Sequence, residues 1–119
     1  MTRDDLARLA LLEVDRQWEA ARSRPRPPAW RCWALQEYEN DLEYGPRYSP
    51  TWFGDLTGTE AGRVRVLRTL YRLADAGLVI VVKSEGGRLE RLRLSPEGRE
   101  AVASLRNVDT AATIAPYGL

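Results

Sequence analysis

The chain has 119 residues, of which 44% are hydrophobic and 29% charged, as is typical of one globular domain. It has no histidine and a single cysteine, Cys32, which excludes Ser-His-Asp and Cys-His catalytic sites, an internal disulfide and a structural zinc site. We therefore predict no catalytic residues, no metal, no cofactor and no enzymatic activity. No apolar run approaches the roughly 20 residues of a membrane span, and no secretory signal is recognisable, so we expect a cytoplasmic protein that does not interact with membranes.

The net charge of +1 hides an uneven distribution. Between residues 62 and 93 there are eight basic and three acidic residues, a net charge of +5, whereas the rest of the chain carries −4. Charge separated in this way favours contact with a polyanion through one part of the molecule. Arginine-rich helices are also often solvated and paired with acids, so this pattern alone leaves both interpretations open.

The first predicted helix begins at Thr2, an N-cap followed three residues later by Asp5, and runs to about Arg22. Its apolar residues recur at helical spacing and form one stripe. These residues are Ala7, Ala10, Leu11, Val14, Trp18 and Ala21. Since Leu6, Leu9 and Leu12 broaden the stripe, we expect more than one neighbour to cover it. We therefore predict that residues 1–22 are a helix and a possible dimerisation element.

Residues 23–48 are predicted to form a proline-rich linker and an aromatic helix. Pro25, Pro27 and Pro28 end the first helix and favour a stiff spacer over a basic arm that binds a partner. A second helix is expected from Ala29 to about Asp41. Its aromatic residues suit core packing or a dimer contact better than a ligand pocket. They are Trp30, Trp33 and Tyr38.

Ser49 and Pro50 predict the start of a short helix, with Trp52, Phe53 and Leu56 on its buried side. After a turn at Thr57-Gly58, Thr59 is the predicted N-cap of a longer helix that Gly77 terminates. One face of this helix is predicted to be buried and the opposite face to be basic. The buried face is Val64, Leu67, Leu70, Tyr71 and Ala74, widened by Val66 and Leu73, and the opposite face is Arg65, Arg68, Thr69 and Arg72.

Two strands, residues 78–82 and 88–94, are predicted to form a hairpin around a turn at Gly86-Gly87. Alternation places Leu92 and Leu94 on one side and Arg91 and Arg93 on a basic outer side. Leu89 breaks the alternation, which favours a bulge near the turn. Ser95-Pro96 predicts a final helix to about residue 105, and residues 106–119 are expected to be a frayed tail.

The order of a short helix, a turn, an arginine-bearing helix and a hairpin is that of a winged helix-turn-helix. The passage Arg63 to Val79, with its Leu-x-x-x-Gly-Leu-Val ending, resembles the recognition helix and wing entry of MarR-like and PadR-like bacterial transcriptional regulators. The passage Leu92 to Arg99 resembles the exit of the wing in the same families. The resemblance covers residues 49–105 and implies a mainly α fold with a small β-hairpin, a winged helix-turn-helix with extra N-terminal helices.

The resemblance also implies sequence-specific binding of double-stranded DNA and transcription regulation. The 59–76 helix would enter the major groove and the 78–94 wing would contact flanking DNA. It further implies a homodimer, for which the first helix is the candidate contact. The predicted DNA-binding residues are Thr59, Gly62, Arg63, Arg65, Arg68, Thr69, Arg72, Lys83, Arg88 and Arg91.

Two alternatives stay open at this point. Winged helices also serve as protein adaptors, and the near-neutral charge and the aromatic and acidic residues 30–48 favour a protein-protein interaction module. A replication or mobile-element accessory factor would use the same DNA-binding chemistry.

Overall fold

The computed structural model describes the backbone of residues 1–114 and the side chains of residues 1–107. This part of the chain is mainly helical, with a small antiparallel hairpin. In chain order the elements are helix α1 (Arg3–Arg22), helix α2 (Cys32–Tyr44), a 3₁₀ helix (Pro50–Thr57), helix α3 (Glu60–Asp75), strands β1 (Val79–Lys83) and β2 (Leu89–Leu94), and helix α4 (Pro96–Ile114).

Helix α1 is the centre of the fold rather than an appendage to it. Thr2 and Asp5 form the predicted capping box: Thr2 Oγ1 accepts from Asp5 N, and Thr2 N donates to Asp5 Oδ2. The apolar stripe, which includes Leu6, Val14 and Trp18, is buried against α2, α3, α4, β2 and the 3₁₀ helix. Since one chain already covers the stripe, the basis for predicting residues 1–22 as a dimerisation element is removed.

The short helix predicted from Ser49-Pro50 is present as a 3₁₀ helix, Pro50–Thr57. Ser49 caps it as predicted, through Thr51 N. Gly54 has a φ of 55°, which interrupts the helical backbone. Phe53 is buried, and Thr57 is buried too because its hydroxyl donates to the Pro50 and Gly54 carbonyls. A glycine in the left-handed region therefore sets the direction in which the chain enters α3.

Both predicted ends of α3 are confirmed. Thr59 Oγ1 accepts a hydrogen bond from Gly62 N at the first turn. Gly77 has a φ of 79°, and its N–H donates to the Ala74 carbonyl while Leu78 N donates to the Leu73 carbonyl. This pair of bonds is a Schellman motif, which ends the helix and sends the chain directly into β1.

The hairpin pairs Val79 with Leu94 and continues to Val82 opposite Arg91. Next to this pair the register shifts, because Lys83 lies opposite Leu89 and Glu90 is left over. The bulge that the sequence predicted near the turn is therefore at Glu90. It lets Leu89 join Leu92 and Leu94 in the core.

Helix α4 begins as predicted at Ser95-Pro96 but continues to Ile114. The expectation of a frayed tail from residue 106 is therefore wrong as far as Ile114. Residues 115–119 lie outside the described chain. Ser95 Oγ accepts from Gly98 N at the start of α4 and donates to the Gly77 carbonyl at the end of α3. This one hydroxyl therefore links the two helices. No helix in the described part of the chain is long and apolar enough to span a bilayer.

Candidate nucleic-acid interface

Helix α3 is turned about its own axis relative to the orientation that its apolar residues predicted. Its buried residues are Val66, Thr69, Leu70 and Leu73, whereas Val64 is 38% exposed. On a helical wheel this moves the buried direction by roughly a quarter of a turn. The face that points away from the core consequently has Val64 and Arg68 near its middle.

Arg65, Arg68 and Arg72 follow one another at spacings of three and four along α3, and all three are exposed. Together with Val64 they line an open groove of about 700 Å³ between α3 and the first turn of α1. Glu60 is the one carboxylate in its lining, and it forms no ion pair with a described residue. Like charges at this spacing repel one another, so the arrangement leaves the cationic face available to an external anion.

Elsewhere in the described chain, many arginines have carboxylate partners. Seven arginines form ion pairs with carboxylates: Arg16, Arg22, Arg24, Arg26, Arg47, Arg91 and Arg106. The four arginines of α3 are absent from that set. The basic character of α3 is therefore not neutralised within residues 1–107, which is the condition for contact with phosphates.

A second groove, of about 820 Å³, lies on the other side of α3, toward the hairpin turn. Arg63, Arg88 and the turn glycines line it, together with Leu67 and Tyr71. Arg63 Nη1 donates to the Thr57 carbonyl at 3.3 Å, and Arg88 is exposed at the tip of the hairpin. Both predicted residues thus flank the outer face of α3.

Lys83, also predicted, is exposed at the end of β1. Its Nζ lies 5.0 Å from the centre of the Tyr71 ring, a cation–π distance. This contact holds the ammonium group beside α3. Thr59 is exposed as well, and although its Oγ1 accepts the capping hydrogen bond, the hydroxyl proton is free to donate outward.

Two predicted site residues of α3 have structural roles instead. Thr69 is only 3% exposed, and its hydroxyl donates to the Arg65 carbonyl at 2.9 Å, which satisfies the polar group inside the core. Gly62 faces the 3₁₀ helix: a Cβ there would lie 1.9 Å from the Leu56 carbonyl oxygen. The absence of a side chain at Gly62 allows two elements of the protein to pack, so we correct its assignment to DNA contact.

Arg91 is the third correction. It is 4% exposed, and α2 covers it. Its Nη1 donates to Asp41 Oδ1 at 2.5 Å and to the Gly45 carbonyl at 2.9 Å, and its Nη2 donates to both oxygens of Glu37. The strand alternation predicted an outward arginine, but this guanidinium fastens the hairpin to α2 and is unavailable to DNA.

Two acids of α2, Asp41 and Glu37, accept hydrogen bonds from arginines. Asp41 is 6% exposed and also accepts from Arg24. The pKa of the Glu37 carboxyl is lowered, and hydrogen bonds from Arg47 are the largest cause. Burial raises this pKa, and hydrogen bonds from Arg91 lower it further, so that the net shift is downward. These carboxylates are structural partners of arginines.

Two of the three aromatic residues of the second segment, Trp30 and Trp33, are exposed rather than packed in the core. Trp30 is 78% exposed and Trp33 is 90% exposed. Helix α2 begins at Cys32, three residues later than expected, and its N-cap Arg31 provides no side-chain hydrogen bond. The prediction of core packing for these two indoles is wrong.

One basic residue of the candidate interface, Arg3, was not predicted from the sequence. Arg3 lies in the first turn of α1 and lines the same groove as Arg65, Arg68 and Arg72. Nothing in the sequence near Arg3 signals this, because the neighbourhood arises from the packing of α1 across α3.

Comparisons of the chain with models of protein families, with curated proteins and with solved structures gave no match.

Proposed function

We propose that this protein is a sequence-specific regulator of transcription that binds double-stranded DNA, with α3 in the major groove and the β1–β2 hairpin as a wing on the flanking DNA. The observation that carries the proposal is the exposed face of α3, whose arginines have no carboxylate partner in residues 1–107. The order of the 3₁₀ helix, the turn, α3 and the hairpin supports a winged helix-turn-helix arrangement.

The orientation of α3 assigns different tasks to its residues. Val64 and Arg68 lie near the middle of the outward face and are the candidates for base edges. A guanidinium can donate two hydrogen bonds to guanine O6 and N7, and a valine can contact the methyl group of thymine. The candidates for contact with the phosphates of the two strands are Arg65 and Arg72 on one side of this face, and Arg63 and Arg88 on the other.

A selection of genomic fragments with the purified full chain tests binding and identifies the site at once. On the selected duplex, Arg68→Ala should weaken binding tenfold or more if Arg68 contacts a guanine. Arg31→Ala is the matched control, because Arg31 is also exposed and is the N-cap of α2 rather than part of α3. Absence of duplex binding at low ionic strength, or binding that does not weaken with salt, would refute the proposal.

A homodimer is also part of this proposal, because regulators of this kind read paired half-sites. The apolar stripe of α1 is not available for that contact, since it is buried within the chain. Sedimentation equilibrium of the free chain and of its complex with the selected duplex measures the stoichiometry. One chain per site at saturation would refute the dimer.

A second candidate function is a protein-protein interaction module, and the exposure of Trp30 and Trp33 favours it. Large exposed indoles are enriched at protein interfaces. This function predicts that a partner protein is retained by the wild-type chain and lost with Trp33→Ser, while Arg68→Ala retains it. The reverse pattern, with DNA retained through Arg68, supports the first proposal.

A further inference from the structure

The first turn of α1 lies beside the basic face of α3, and it is held there firmly. Leu6, 2% exposed, anchors the turn in the core, and the Thr2–Asp5 capping box fixes its backbone. The Met1 carbonyl accepts a hydrogen bond from Arg65 Nη2 at 2.6 Å, which ties the segment directly to α3. Arg3 is therefore carried on a rigid element whose position relative to α3 is fixed.

Arg3 extends the basic face of α3 toward the first turn of α1. It lines the groove of about 700 Å³ with Arg65, Arg68 and Arg72, and it also lines a smaller depression of about 380 Å³ with Arg68 and Arg72. Three guanidinium groups from two different helices thus surround one concave surface. In residues 1–107, Arg3 forms no ion pair.

The acids near this groove do not neutralise it. Asp4 and Asp5 share the first turn of α1 with Arg3 but do not line either concavity. The Asp5 carboxylate is engaged in the capping box, and hydrogen bonds from Thr2 lower the pKa of its carboxyl. Glu60 lines the larger concavity and Asp75 the smaller one, so each concavity has one carboxylate against at least three arginines.

We propose that Arg3, together with Arg72, binds the phosphodiester backbone of one DNA strand beside the groove that α3 occupies, so that α1 is part of the DNA interface. This inference rests on the proposed function, and it adds a contact from an element outside the winged helix. Phosphate contacts fix the position and register of a protein on the duplex without reading its sequence. Arg3 is accordingly a positioning contact, set by the rigid α1–α3 packing.

The test measures binding of the full chain to a mixed-sequence duplex of about 20 base pairs, about two turns of DNA, over about 50 to 200 mM salt. Each phosphate contact adds about 0.9 to the slope of log affinity against log salt. Arg3→Gln should reduce the slope by about that amount, which makes the affinity loss over this range about 3.5-fold smaller than for the wild type. Arg3→Lys should keep the wild-type slope, because the charge is retained.

Arg8→Gln is the matched control. Arg8 is an exposed residue of the same helix without an ion pair in the described chain, and it lines neither basic concavity. Its removal should leave the slope unchanged. The inference would be overturned if Arg68→Gln weakened binding but the salt slopes of Arg3→Gln and Arg8→Gln both equalled that of the wild type. Absence of duplex binding by the wild type would instead overturn the proposed function, and both statements with it.

Discussion

Replacing Arg91 separates its structural role from the DNA contact that the winged-helix resemblance implied. Arg91→Leu removes a guanidinium that is 4% exposed and donates to Asp41, Gly45 and Glu37. The variant leaves the Asp41 carboxylate, itself 6% exposed, without its buried partner. Removal of one member of a buried ion pair typically costs about 3–5 kcal/mol.

We expect the low end of that range, because Asp41 keeps its hydrogen bond from Arg24. The bond to Glu37 adds little, since the side chain of Glu37 is 43% exposed and its ion pair with Arg47 remains. The free energy of unfolding should therefore fall by about 3 kcal/mol. For a chain of this size the midpoint of thermal unfolding should fall by about 10 °C.

Far-UV circular dichroism during thermal and urea unfolding measures this loss, and duplex binding is measured at a temperature where the variant is folded. Arg88→Leu is the matched control from the same hairpin, since Arg88 is exposed and makes no ion pair in the described part of the chain. It should change the unfolding free energy by less than about 0.5 kcal/mol and should weaken duplex binding. If Arg91→Leu kept wild-type stability and lost DNA affinity, the structural assignment of Arg91 would be refuted.

Three further predictions concern the core, the packing at Gly62 and acid stability. Leu70→Ala should lower the free energy of unfolding by about 2–5 kcal/mol in urea titrations, because Leu70 is fully buried. Gly62→Ala should destabilise the protein by about 2 kcal/mol in the same assay, despite the higher helix propensity of alanine, because its Cβ would collide with the Leu56 carbonyl. Glu37→Gln should make stability less sensitive to acid. Because hydrogen bonds from Arg47 and Arg91 outweigh burial and lower the pKa of Glu37 in the folded state, its contribution is present above about pH 4.3 and is lost as the pH falls through the folded pKa.

Each of these variants has a control in the same chain. Val64→Ala truncates an exposed residue of α3 and should cost far less than Leu70→Ala. Gly86→Ala adds a methyl group where the nearest atom is 4.0 Å away, so stability should hardly change. Glu43→Gln removes an exposed carboxylate without an ion pair in residues 1–107, and its acid unfolding should follow the wild type. Variants that matched their controls would contradict the corresponding packing or charge assignments.

The starts of α1, α3 and α4 and the end of α3 could be predicted from the sequence because they depend on local chemistry. The hydroxyls of Thr2, Thr59 and Ser95 accept hydrogen bonds within three residues, and Gly77 adopts the left-handed backbone that a helix end requires. The mainly helical architecture and the hairpin followed from the same short-range signals.

The orientation of α3 could not be predicted, because tertiary contacts decide it. Thr69 counts as polar in a periodicity argument, yet a hydrogen bond to the Arg65 carbonyl makes its burial acceptable. Strand alternation likewise predicts an outward side chain for Arg91, but the packing of α2 against β2 buries it. Arg3 joined the candidate site for the same reason: α1 and α3 are distant in sequence and adjacent in space.

The four tryptophans occupy very different environments, and this determines how the intrinsic fluorescence of the protein responds to unfolding and binding. Trp30 and Trp33 stand in water, whereas Trp18 is 7% exposed and has the guanidinium groups of Arg22, Arg93 and Arg99 around its ring. Half of the indoles would therefore emit at the long wavelengths of solvated tryptophan in the native state and would shift little on unfolding. The change in intrinsic fluorescence on unfolding would therefore be small relative to the loss of core packing. A partner that covered Trp30 and Trp33 would lower the quenching of their fluorescence by iodide.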